Sequence, residues 1–194
     1  MTIKILIADK LAPEGATFLK AQKNVEVIEN TGLSGDALVT AIAEADGVIV
    51  RSSVKLTEEI LDKAYQNPEC RLKGIARAGV GVDNIDLQTA TKYGIAVMNS
   101  ASASTITTAE HAFALMISLA RNVANSNGVF RSGGWDRSKY VGVQLAGRTL
   151  GIVGMGRIGQ AVARRALAFG MDVIGFDPFM KEYLRFRATE EAAQ

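Results

Sequence analysis

The residues best spaced for chemistry are Gly154-Met155-Gly156-Arg157-Ile158-Gly159. A lone G-x-G-x-x-G is a weak signal, but this one has a context. It follows the buried-strand pattern Arg148–Val153 (RTLGIV) and opens the amphipathic pattern Arg157–Phe169. A second strand pattern, Met171–Phe176, then ends at Asp177, about 20 residues beyond the glycines, the spacing of a dinucleotide fingerprint. Gly154 would permit the tight turn, Gly156 a close approach of backbone to a pyrophosphate, and Gly159 close packing of helix on strand. The helix start offers unpaired N–H groups and a positive dipole end to phosphates. Asp177 would accept hydrogen bonds from ribose hydroxyls and repel a 2′-phosphate. No arginine adjoins it, so the expected cofactor is NAD rather than NADP.

A second constellation concerns anions. One strand pattern runs straight into Arg51-Ser52-Ser53, and the next into Arg77-Ala78-Gly79-Val80-Gly81. In open parallel sheets, ligands bind outside the carboxyl ends of the strands. Two guanidiniums at that edge suit a carboxylate or phosphate, which arginine holds in bidentate fashion. Gly79 and Gly81 would let backbone N–H groups come close to such a ligand. A single strand-end arginine would more simply be a surface ion-pair partner.

Other reactive types carry less. His111, the only histidine, falls in the first turns of a long helix pattern and reads as a half-buried helix residue. Thr107 and Thr108 either cap that helix or face the cofactor. Trp135 reads as an interface or packing residue, and the methionines read as core. Cys70 is the only cysteine, which excludes an internal disulfide and a thiol-rich metal site and suits a reducing cytosol.

The elements that must position these residues alternate. Strands are expected at Ile3–Ala8, Val25–Ile28, Gly47–Val50, Lys73–Arg77 and Ile95–Met98. Helices are expected at Pro13 to about Gln22, from Ser34 to Ala43, from Thr57 to about Tyr65, and at Asp86–Tyr93. Near-continuous apolar strands separated by helices indicate a parallel sheet covered on both faces. The expected fold class is therefore α/β: a flavodoxin-like doubly wound parallel domain over 1–99, then an incomplete Rossmann dinucleotide-binding domain over 100–194. A helix is expected from about Thr107 to Asn125, with a capping box of Thr107 and Glu110. It is apolar on two sides, with Ala112, Leu115, Met116 and Leu119 on one and Phe113, Ile117 and Ala120 on the other. Such a helix must be covered twice, between domains or against a partner subunit. Phe130–Gly147 reads as an irregular arm, and the stretch from Met180 onward as polar and helix-like.

Composition sets outer bounds. Hydrophobic residues make up 48% and charged residues 22% of 194, the balance of a soluble globular protein. The net charge of +2 comes with no basic run, which argues against a nucleic-acid surface. The apolar stretch Ala112–Ala120 is far below the ~20 residues of a membrane span. The N-terminus reads as a first strand and not as a signal peptide, so a cytoplasmic location is expected.

Together these residues resemble the D-2-hydroxyacid dehydrogenase family. RSSVKLTEEIL, RAGVGVDNIDL, YGIAVMNSASAS, TAEHAFALMISLARN and GRTLGIVGMGRIGQAVA match its motifs in order, from about residue 3 to Phe179. GGWDRSKYVGVQLAGRTLG is similar to the branch that acts on 3-phospho-D-glycerate. The resemblance implies NAD-dependent oxidation of that acid to 3-phosphohydroxypyruvate, the entry to serine biosynthesis. It implies that Arg51 and Arg77 surround a phosphorylated substrate. Gly79 and Val80 would lie between substrate and nicotinamide, Arg157 and Ile158 would give amides to the pyrophosphate, and Asp177 would hold the ribose. It also implies a homodimer or larger assembly through the 107–147 region. The family's arginine, glutamate and general-base histidine fall beyond residue 194. The chain alone is thus expected to lack catalytic residues and to be inactive, with a firm first domain and a loose second half. Two alternatives stay open: a glyoxylate or hydroxypyruvate reductase, and a non-catalytic NAD-binding interaction module.

Overall fold

Each short apolar run in the first hundred residues is followed by a polar turn and a helix, and the chain folds accordingly. The computed structural model describes residues 2–180 and 184–186. It divides into two compact units, Met1–Ala103 and Ser104–Gln194. In the first, strands β1 (Ile3–Ile7), β2 (Val25–Glu29), β3 (Gly47–Val50), β4 (Gly74–Arg77) and β5 (Ala96–Asn99) alternate with helices α1 (Pro13–Lys20), α2 (Gly35–Ala43), α3 (Glu58–Gln66) and α4 (Leu87–Lys92). The sheet is wholly parallel, in the order β2-β1-β3-β4-β5. The strand order reverses between β1 and β3, as in other doubly wound sheets.

The strands are apolar on the face that α2, α3 and α4 cover. Leu6, Val48, Val50 and Ile75 pack with Leu38, Ile42 and Leu61 from the helices in one buried cluster. Polar ties fix the ends. Asp46 accepts from the Lys4 N–H at 2.8 Å and from the Arg71 guanidinium through both oxygens. The Lys4 N–H, with Arg71 beside it, holds the Asp46 carboxyl below its ordinary value despite desolvation. Thr57 caps α3 as expected, accepting from the Ile60 N–H, and Asp86 caps α4, accepting from the Thr89 N–H at 2.8 Å. Ser34 stands at the start of α2 without a side-chain cap bond, and α1 ends at Lys20, short of Gln22.

The second unit holds α5 (Thr105–Ala120), α6 (Val123–Arg131), a 3-10 turn (Ser138–Tyr140), β6 (Thr149–Val153), α7 (Arg157–Ala168), β7 (Asp172–Phe176) and β8 (Leu184–Phe186). β6 and β7 are parallel, and β8 joins β7 antiparallel, in the order β6-β7-β8. Several expectations are corrected here. Helix α5 begins two residues early, so Thr107 lies inside its first turn with its hydroxyl on the Ser104 carbonyl. Glu110 closes no capping box and pairs instead with Arg165 at 2.9 Å. The helix does not run through to Asn125: Asn122 adopts φ 54°, a left-handed conformation that asparagine tolerates, and α6 restarts beyond it and absorbs the first residues of the supposed arm. Leu184–Phe186 is strand, because pairing with β7 outweighs the helix-favouring composition around it. The rest of the polar reading, at 181–183 and 187–194, lies outside the described residues. His111 is exposed rather than half-buried.

Phe113, Met116 and Ile117 of α5 pack with Met155, Ala163, Ala166, Met171 and Val173 in a small core. Of the other stripe only Met116 joins this core, while Leu115 and Leu119 are exposed. No helix among the described residues is long and apolar enough to cross a membrane.

Candidate functional site

In the second unit the glycines form a β6-to-α7 turn whose shape each one dictates. Gly154 sits at φ +98°, where an L side chain is strained, and donates its N–H to the Phe176 carbonyl at 2.7 Å. A Cβ on Gly159 would overlap the Gly154 carbonyl oxygen, so only glycine lets the helix start this close to the strand. A Cβ on Gly156 would meet nothing within 4 Å and would project into open space. Among the described residues, nothing accepts from the N–H groups of Gly156, Arg157, Ile158 or Gly159. Four unclaimed amides at a helix start form a hollow for an anion.

Asp177 faces the same turn. Its Oδ2 accepts from the Met155 N–H at 2.8 Å and its Oδ1 from the Phe179 N–H at 3.0 Å. An ionised carboxylate has about four acceptor sites, so two bonds leave capacity on both oxygens. The Met155 side chain points inward and is buried against Gly175, where a Cβ would come within 2.6 Å of Sδ. Gln160 donates to the Met155 carbonyl at 2.9 Å. Met155 is core, as the methionines were read, and is in addition the anchored residue of the loop.

In the first unit the ends of β1, β3 and β4 meet. Arg77 Nε donates to the Arg51 carbonyl at 3.4 Å, and its Nη1 to the Gly81 carbonyl, with Asp83 at 3.9 Å. The Arg77 side chain is only 12% exposed, and a Cβ on Gly79 would rest 3.5 Å from its guanidinium. Arg51 is exposed. Its Nη1 donates to the Lys10 carbonyl at 3.3 Å, and its guanidinium pairs with no carboxylate among the described residues. Val80 is exposed, and its carbonyl accepts from Asn99 at 2.6 Å.

Two residues without a sequence signal organise this edge. Asp9, nearly buried, accepts from the N–H groups of Arg51 and Ser53 at 3.0 Å, Val54 at 3.2 Å and Lys10 at 3.0 Å. Burial pushes its carboxyl up, but the four N–H groups outweigh that and leave it below the ordinary value. Asn84 Nδ2 donates to the carbonyls of Arg51 and Val54, each at 2.7 Å. A polar residue directly after a buried strand was the one available hint for Asp9.

The structure thus brings Gly154, Gly156, Arg157, Ile158, Gly159 and Asp177 together in one unit, and Arg51, Arg77, Gly79 and Val80 in the other. Thr108 lies in the first turn of α5, its N–H on the Ser104 carbonyl. No hydrogen bond joins it to the glycine loop among the described residues.

A reversing parallel sheet followed by a glycine-turned strand–helix–strand unit defines a doubly wound α/β protein. The family described as D-isomer specific 2-hydroxyacid dehydrogenase, catalytic domain, matches residues 5–194, and the chain belongs to it. The D-3-phosphoglycerate dehydrogenase of Methanocaldococcus jannaschii is 44% identical over 178 residues, 92% of this chain and 33% of that protein. A crystal structure of a Thermus thermophilus protein superposes with a TM-score of 0.80 at 35% identity, over 92% of this chain and 57% of that one. The Aquifex aeolicus D-lactate dehydrogenase complexed with NAD and lactic acid gives 0.77 at 30% identity, over 92% and 52%. The chain therefore spans about a third of the curated relative's length.

Proposed function

We propose that this chain carries the cofactor-phosphate and substrate-anion contacts of an NAD-dependent dehydrogenase acting on 3-phospho-D-glycerate. The observation that carries the reading is the loop itself: four amides without acceptors, open space over Gly156, and the Asp177 carboxylate bonded to the same turn. These residues fit a dinucleotide. The amides of Gly156–Gly159 would take the pyrophosphate and Asp177 the ribose hydroxyls, while its charge disfavours a 2′-phosphate. Bound NAD supplies the hydride acceptor. Arg51, Arg77 and Gly79 would bind the substrate anion.

Hydride loss from an alcohol also needs a base for the hydroxyl proton. His111, the only histidine, lies exposed on α5 with no hydrogen-bond partner among the described residues. The 194-residue chain by itself is expected to bind without turnover. Its uncovered apolar face suits a second copy of the chain. Leu119 and Val141 are exposed in this unit, which also carries a hollow of about 450 Å³ lined by Val123, Phe130, Trp135 and Tyr140.

Calorimetric titration with NADH, NADPH and 3-phospho-D-glycerate tests the reading. NADH is expected to bind more tightly than NADPH; equal affinities would remove the role given to Asp177. One observation favours a second reading, an unphosphorylated 2-hydroxy acid: two Arg77 donors are spent on backbone carbonyls, leaving Arg51 the freer guanidinium. D-glycerate binding as tightly as its 3-phosphate would establish it.

A further inference from the structure

We propose that Asp9 is a positioning residue for the anion edge of the first unit, its carboxylate filling the amide hollow between β1 and β3 and so fixing the turn that carries Arg51. The inference rests on reading that edge as the substrate-anion site.

The order β2-β1-β3-β4-β5 makes the β1/β3 junction the point where the sheet reverses, and open sheets leave a ligand crevice there. Here the crevice is filled from within. Three N–H groups of one turn, from Arg51, Ser53 and Val54, converge on a single Asp9 oxygen, the coordination that such a hollow gives to a bound anion. Two carbonyls of the same turn are spent as well, Arg51 on Asn84 and Arg77, and Val54 on Asn84. Only the Ser52 N–H lacks an acceptor among the described residues.

Asp9 reaches Arg51 at both ends. Oδ2 takes the Arg51 amide, while Oδ1 takes the Lys10 amide, and the Lys10 carbonyl holds Arg51 Nη1 at 3.3 Å. The internal carboxylate uses up the backbone donors of Arg51, Ser53 and Val54, so that at this turn an incoming anion is left to the Arg51 guanidinium and Ser52. Asp9→Asn keeps one accepting oxygen but loses the charge and sets an NH2 group against the Lys10 N–H, which loosens the turn and with it the rest of the Arg51 guanidinium on Lys10.

The test is a double-mutant cycle on the full 194-residue chain, with 3-phospho-D-glycerate affinity measured by calorimetry. Asp9→Asn is expected to weaken binding on the order of ten-fold in the otherwise unaltered chain, and less than about two-fold further in an Arg51→Gln background. Equal losses in both backgrounds, or no loss at all, overturn the proposal, since a merely structural Asp9 would act regardless of Arg51. Should Asp9→Asn fail to fold, Asp9→Ala is titrated with formate. Recovery of both the fold and the Arg51-dependent affinity supports the proposal, and recovery of neither, or of the fold alone, overturns it. Absence of any 3-phospho-D-glycerate binding by the unaltered chain defeats the anion-site reading itself, an outcome distinct from normal binding that ignores Asp9.

Discussion

In Met1–Ala103 helices close one face of the parallel sheet, where Val48, Val50 and Ile75 are fully buried, while Ile3 and Met98 on the opposite face stay about half exposed. In Ser104–Gln194 large apolar residues are left in solvent: Val153 is 87% exposed, Leu119 82% and Trp135 73%. β6 pairs with β7 on one side and with no described strand on the other. The two units therefore hold their candidate sites by different means. The Arg51 edge is clamped by polar groups standing on a closed core. The glycine loop is shaped by contacts that a single methyl group would violate, above a core of few residues. Damage to one unit should be felt as lost packing, and damage to the other as lost backbone geometry.

The sharpest way to break that contrast is Leu61→Ala. Leu61 is fully buried among the first unit's helices, and its truncation should cost about 2–5 kcal/mol in urea unfolding. A loss below about 1 kcal/mol would mean the core is not closed. Gly159→Ala should cost the second unit about 1–3 kcal/mol, because the opposing Gly154 oxygen is backbone and cannot give way easily. Hydrogen exchange should then show lost amide protection over residues 149–176 and none over the first unit. Gly156→Ala separates folding from binding. Its Cβ meets no protein atom, so the melting temperature should hold while NADH affinity falls. A parallel drop in both would merge the two glycine roles.

Acid sharpens the comparison from the other side. The Asp46 carboxyl is held below its ordinary value of 3.8, chiefly by the Lys4 N–H. A carboxyl lowered on folding contributes stability above the unfolded value, and that contribution is lost as pH falls through the lower, folded value. Stability of the first unit should therefore decline below about pH 4, and Asp46→Asn should flatten that part of the profile. An unchanged profile would discard the clamp. The smallest effect belongs to Leu119→Ser, expected within about 0.5 kcal/mol in unfolding because the residue is already in water. Its consequence should instead appear in sedimentation as weaker self-association; an unaltered sedimentation profile would count against a second copy on that face.

What could be read from the sequence was whatever local rules decide. Apolar runs bounded by turns placed all five strands of the first sheet, and the glycine spacing placed the loop and Asp177 on one turn. What escaped depended on the third dimension. Asp9 and Asn84 act across 42 and 33 residues, respectively, to meet Arg51, and the place of Asp9 directly after a buried strand was the one hint of either. The break at Asn122 was overruled by an apolar pattern that continues across it, although asparagine after arginine at a helix end was a readable hint. Leu184–Phe186 is too short to outvote its charged, glutamate-rich flanks. Only the antiparallel partner β7 makes it a strand.

The anchoring of Met155 has a kinetic side. Its amide is tied to Asp177, its carbonyl to Gln160, and its thioether is sunk against Gly175, so the turn is held from three directions before any ligand comes. A receptor already in its receiving shape forfeits little freedom when a diphosphate arrives. Encounter, rather than rearrangement, should then set the pace of capture.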